Sequence, residues 1–162
     1  MIKGKRNQKE EGSKGEKIPV PFSIGDIKEN INLNTNKQSN PSKEQIINQA
    51  IRLHLKGNIP EAAKYYQYCI DQKFNDHRVF SNYAGILLNI GKLKEAEISL
   101  HKAIELNPDD AKAHYNLGRI FYDLGKLKEA EIELRKAIEF NPDYTKAYYN
   151  LGRIICDLGE LK

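Results

Sequence analysis

Residues 111–144 read AKAHYNLGRIFYDLGKLKEAEIELRKAIEFNPDY, and residues 77–110 read HRVFSNYAGILLNIGKLKEAEISLHKAIELNPDD. The two stretches agree at 18 of 34 positions. A further copy starts at Thr145 and agrees with residues 111–128 at 13 of its 18 positions, and a more divergent one starts at Lys43. Agreement of this kind at a fixed period predicts an array of one supersecondary unit, each copy stacked on the next.

With Lys43, His77, Ala111 and Thr145 as position 1, each block carries two helical patterns. In the first, apolar or small residues fall at positions 4, 7, 8 and 11: Phe80, Tyr83, Ala84 and Leu87, then His114, Leu117, Gly118 and Phe121. Steps of three, one and three put these on one helix face. A glycine follows at position 15 (Gly57, Gly91, Gly125, Gly159), where the chain must leave a helix. The second pattern has Ala62, Ala96 and Ala130 at position 20, a large residue at 24 (Tyr66, Leu100, Leu134), and Cys69, Ala103 and Ala137 at 27. Small residues there let the paired helices approach closely. Pro60 opens a second helix at no cost in hydrogen bonds. The Asn-Pro-Asp triplets at 107–109 and 141–143 end the others.

These residues resemble the tetratricopeptide repeat. Its pattern is a large residue at 4, Leu-Gly at 7 and 8, an aromatic at 11, small residues at 20 and 27, and Pro at 32. Asn116-Leu117-Gly118 with Phe121, Ala130, Ala137 and Pro142 fits it well. Gln49 and Phe74 mark the first block as a divergent repeat, and His114 replaces the aromatic at 4 as a packing residue. The resemblance implies an all-α fold, an α-solenoid of antiparallel helix pairs, over residues 43–162, with blocks 43–76, 77–110, 111–144 and a partial 145–162. Residues 1–42 are predicted to be a disordered arm, being poor in apolar side chains apart from Ile18-Pro19-Val20-Pro21-Phe22-Ser23-Ile24.

Charge narrows the function classes. The net charge is +4, of which residues 1–42 hold +3, leaving +1 for the remainder. A near-neutral body argues against nucleic acid as partner, because phosphate contacts demand a basic footprint. No run of residues is long and apolar enough to span a membrane, no secretory leader is recognisable, and the expected location is cytoplasmic. Cys69 and Cys156 have no zinc or disulfide pattern, the four histidines stand in no repeated relation to them, and no phosphate loop or nucleophile motif occurs. The chain is therefore expected to be no enzyme and to use neither cofactor nor metal.

In the resembled family the first helix of each pair lines a concave surface through positions 2, 5, 6, 9, 12 and 13. Position 6 is Asn48, Asn82, Asn116 and Asn150. A primary amide both donates and accepts, so a column of them can hold an extended peptide backbone. This is similar to the asparagine ladder of the O-linked N-acetylglucosamine transferases. The alternative is that Asn is only a polar consensus residue here. Around it lie Lys112, Tyr115, Arg119 and Tyr122 in one block and Lys146, Tyr149 and Arg153 in the next, a set suited to an acidic protein or peptide partner. The function implied is a protein–protein interaction scaffold binding an extended segment. The competing reading is the substrate-recruiting part of a glycosyltransferase, sulfotransferase or methyltransferase whose catalytic domain is absent from this sequence. The last block stops after its first helix, so Tyr148, Leu151, Ile155 and Leu158 are expected to lack half their packing and to promote self-association or fraying.

Overall fold

The computed structural model describes residues 40–160; the proposed arm lies outside them except for its last three residues, and the Ile18–Ile24 segment lies wholly outside. Seven helices, and no strand, make up the described residues: α1 (Lys43–Leu55), α2 (Ile59–Asp71), α3 (His77–Asn89), α4 (Leu93–Leu106), α5 (Ala111–Asp123), α6 (Leu127–Phe140) and α7 (Thr145–Glu160). First helices thus start at residues 43, 77, 111 and 145. The fold is an α-solenoid of antiparallel pairs.

Local chemistry sets the helix starts. Ser42 accepts from the Gln45 amide (3.2 Å) while the Gln45 side chain accepts from the Ser42 amide (2.8 Å), a reciprocal cap on α1. Asp76 and Asp110 cap α3 and α5 by accepting from the amides of Arg78 (2.9 Å) and Ala113 (3.0 Å). Gly57, Gly91 and Gly125 have φ of 77°, 76° and 71°, so the tight turn inside each complete pair needs a residue without Cβ. Gly159 does not follow them. Here α7 runs on to Glu160, and no second helix that would require the turn is among the described residues.

Within a pair, contact is made at the small residues. Ala62, Ala96, Ala130, Cys69, Ala103 and Ala137 are fully buried against the first helices. Burial pushes the Cys69 thiol up to about 12, so it packs as a hydrophobe. At Gly118 the approach is closest. A Cβ there would lie 2.9 Å from Leu134 Cγ and 3.3 Å from the Ala130 carbonyl oxygen.

Between pairs, two further positions carry the contact. Val79, Ala113 and Ala147 at position 3, and Ile86, Ile120 and Ile154 at position 10, are all buried against the preceding pair. The spacing at 4, 7, 8 and 11 picks out the face turned to a helix's own partner and misses this second face. In the first block the same positions are Gln45 and Arg52, both exposed. At these two positions the first block therefore carries polar residues where the others carry buried apolar ones.

In α7 the expected loss of packing is seen at Tyr148 and Ile155, which stand about half exposed, but not at Leu151, which is buried, or Leu158, partly buried; these two, farther round the same face, pack onto α6.

His114 is more than a packing residue. Its Nδ1 lies 2.6 Å from Glu133 Oε2 and its Nε2 lies 2.8 Å from the Pro108 carbonyl oxygen. An ionised Glu133 and the Pro108 carbonyl both accept, so the two contacts together favour the doubly protonated, imidazolium form of the ring. Burial opposes that charge, but the bonds to Glu133 and Pro108 outweigh burial and raise the His114 pKa. Burial likewise opposes the Glu133 carboxylate, and donation from His114 and from Lys136 (2.9 Å) lowers its pKa on balance. The pair ties α5 to α6, and through Pro108 to the block before.

Two predictions follow from this packing. Gly152→Ala in α7, whose added methyl meets nothing within 4 Å, should stabilise by roughly 0.5–1 kcal/mol through helix propensity. Gly118→Ala should instead destabilise by about 1 kcal/mol or more, since overpacking outweighs the propensity gain. Thermal unfolding of the two variants decides it, and equal signs would contradict the described approach of α5 to α6.

The second prediction concerns pH. A raised His114 pKa contributes stability fully present below the ordinary 6.5 and lost as pH rises through the folded value. A lowered Glu133 pKa contributes stability present above 4.5 and lost as pH falls through its folded value. The pair is therefore worth most between those limits. Relative to a His114→Phe/Glu133→Leu double variant, the wild type should lose about 1–3 kcal/mol between pH 5.5 and pH 9. Parallel stability curves for the two proteins would show that folding leaves the proton affinities of the pair unchanged, against the described contacts.

Candidate functional site

Successive first helices, α3 with α5 and α5 with α7, come into backbone contact, whereas no two second helices do so to that extent. The first helices therefore form the shorter, concave side of the stack.

Along this side the charges at position 2 divide the groove. Arg78 is held by Glu44 at 3.0 and 2.8 Å, a bidentate pair from one block to the next, and by Asp76 at 2.7 Å. The hydrogen bonds from Arg78 hold the Asp76 carboxyl below the usual range. Lys112 and Lys146, next in line, have no carboxylate within ion-pair distance among the described residues. Lys112 is an exposed residue, yet its ammonium reaches back into the groove to donate to Asn82 Oδ1 at 2.5 Å. Partial desolvation lowers its pKa, Asp110 opposes the shift, and repulsion from Lys146 adds to it. Burial and the Lys112 charge likewise lower the pKa of His54 in α1.

The four asparagines are not a row of free amides. Asn48 is exposed beside Glu44. The Asn82 amide nitrogen donates to the Arg78 carbonyl at 2.7 Å while its oxygen takes Lys112. The Asn150 amide donates to Tyr115 Oη at 3.3 Å. Asn116 is only 3 % exposed, and its amide nitrogen has no hydrogen-bond partner. It faces Gly85 of α3, where an added Cβ would come within 3.8 Å. Position 6 thus links successive first helices to one another, a consequence of their close approach that spacing alone does not reveal.

The aromatic and basic residues are brought together across blocks. Arg153 donates to Tyr122 Oη at 3.0 Å and stacks on its ring at 4.9 Å. Arg119 lies over the Tyr115 ring at 5.9 Å, and Tyr115 packs against Tyr144 at 4.8 Å. Tyr149 stands apart, exposed. Between α5 and α7, Arg119, Tyr122 and Arg153, with Asp123 and Asn150, line a cavity of about 240 Å³ whose floor includes Gly118, Leu134 and Ile154. The sequence reading missed that floor, because Ile154 belongs to the position-10 set. Among the described residues no three His, Cys, Asp or Glu side chains gather as a metal site would require, and no helix is long and apolar enough to cross a membrane. Cys156 is exposed and free.

This arrangement of helix pairs defines the class: a helical repeat protein with a concave, side-chain-lined groove. The family model for the TPR repeat matches residues 85–122 and 118–159, so this part of the array is built of tetratricopeptide repeats. No curated protein matches the chain in sequence. Among solved structures, it is similar to the first TPR of Spaghetti (RPAP3) bound to the HSP90 peptide SRMEEVD, with 23 % identity and a TM-score of 0.64, over 72 % of this chain and 93 % of that one. It is similar to the second TPR domain of human RPAP3 in complex with the HSP70 peptide SGPTIEEVD, with 24 % identity and a TM-score of 0.59, over 70 % and 98 %. It also resembles an O-GlcNAc transferase mutant of Thermobaculum terrenum, with 20 % identity and a TM-score of 0.64, over 70 % of this chain and 22 % of that one. At these identities the likeness is one of fold.

Proposed function

We propose that the array is a protein-interaction scaffold that binds an extended, acidic polypeptide segment along its concave side. The observation that carries this reading is where charge is left unmatched. On second helices Lys64, Lys102, Arg135 and Lys136 each meet a carboxylate within 2.9 Å, and only Lys94 and Lys128 do not. In the groove none of Lys112, Arg119, Lys146 and Arg153 has one among the described residues, so the unmatched charge is concentrated there. Like charges collected in a concave site raise the local concentration of an opposite partner. Tyr115, Tyr122 and Tyr149 add contact area at small entropic cost. Asn82, Asn116 and Asn150 act mainly by setting the spacing of the first helices, with Asn48 open at the neutralised end. The acidic peptides carried by two structures of similar fold support the reading.

A lysate capture tests it. Wild-type protein on beads should retain a set of proteins that is lost as salt rises from 0.05 to 0.5 M, because exposed charge pairs are screened over that range. A Lys112→Glu/Lys146→Glu variant of unchanged helicity should retain about tenfold less. Equal capture by both proteins, with equal salt dependence, would overturn the groove as the binding surface.

A further inference from the structure

The cavity between α5 and α7 combines two surfaces that rarely meet. Its floor is apolar: Leu134 and Ile154 are buried side chains, and Gly118 adds bare backbone. Its wall carries the guanidiniums of Arg119 and Arg153. Arg78 and Arg135 elsewhere are bound by carboxylates. By contrast Arg119 has only the Tyr115 ring, and Arg153 spends one donor on Tyr122. Each guanidinium has five N–H donors in a planar fork, so most of this donor set faces no protein acceptor among the described residues.

We propose that this cavity takes an aliphatic side chain of a bound peptide, while an acidic residue adjacent to it in that peptide is held by Arg119 and Arg153. The inference rests on the peptide-binding reading above and names the side chains that the groove selects. An aliphatic group seated there is itself removed from water and gains dispersion contacts with floor side chains that are already buried. A carboxylate at the wall supplies the acceptor that the two forks lack, and charge-assisted bonds of that kind are the stronger class. Asp123, also on the wall, offsets one of the two positive charges and leaves a net of one. That balance suits a carboxylate better than a doubly charged phosphate, and it disfavours a bare apolar ligand, which would leave the guanidiniums partly desolvated and unpaired.

The test uses the full chain and three fluorescein-labelled nonapeptides of glycine and serine, with central Asp-Leu-Asp, Asp-Ser-Asp or Asn-Leu-Asn, read by fluorescence polarisation. Asp-Leu-Asp should bind about tenfold more tightly than either of the others. Arg119→Ala/Arg153→Ala, two solvent-accessible sites whose replacement should leave helicity intact, should abolish the preference for Asp over Asn while keeping that for Leu over Ser. Isotope-labelled protein should report the Asp-Leu-Asp peptide at the Leu134 and Ile154 methyl resonances. Equal affinity of the three peptides, or binding that leaves those methyls unmoved, would overturn the cavity assignment and leave the broader groove reading standing. Absence of binding by all three would overturn it too, with the lysate capture deciding the groove independently.

Discussion

Everything in this fold depends on the burial of positions 3 and 10 of each first helix against the pair before it. A single helix pair has an apolar face that it cannot cover alone, and stacking is the only way for such a unit to gain a core. Val79 with Ile86, Ala113 with Ile120 and Ala147 with Ile154 form that contact three times at a constant interval, so each pair is placed on the last by the same geometry. The repeated small rotation leaves first helices close together and second helices apart. The concave groove is a by-product of that interface.

Much of this was legible in the sequence, because the period and the within-pair contact are written in residue type. Ala, Cys and Gly at positions 8, 20 and 27 mark close approach wherever both helices of a pair are present, Gly152 of the last block being open, and the left-handed glycines of the first three blocks mark the turns. The inter-pair contact was less legible. Position 3 changes from Val to Ala between blocks, and position 10 sits beside the face that the periodicity had already explained. It becomes readable by contrast, since Gln45 and Arg52 hold those places in the first block alone. His114 does pack, buried against Phe140, but its polar role went unread for a different reason. A lone histidine at an aromatic position looks like packing, and only the coordinates show Glu133 and Pro108 facing its two nitrogens.

The asparagine column shows where sequence reasoning about a surface runs out. Four identical side chains at a fixed interval suggest four identical roles, yet their environments differ because each depends on what the neighbouring block supplies. Asn82 meets Lys112, Asn150 meets Tyr115, and Asn116 meets the bare backbone of Gly85. Residue identity recurs every 34 positions, but the partner across the groove does not. These links also hold the groove side chains in place before any partner arrives, which reduces the ordering cost of association.

Packing and recognition are thus separated by angle around the same helix. In α5, Ala113, Leu117, Gly118 and Ile120 are spent on neighbouring helices, while Lys112, Tyr115, Arg119 and Tyr122 point along the groove. Gly118 belongs to both sets. It lets α6 come close enough for Leu134 to be buried, and the same missing side chain leaves Leu134 within reach of the cavity floor. A larger residue there would fill the helix contact and the cavity at once, so the close approach of α5 to α6 and the cavity between α5 and α7 have one physical cause.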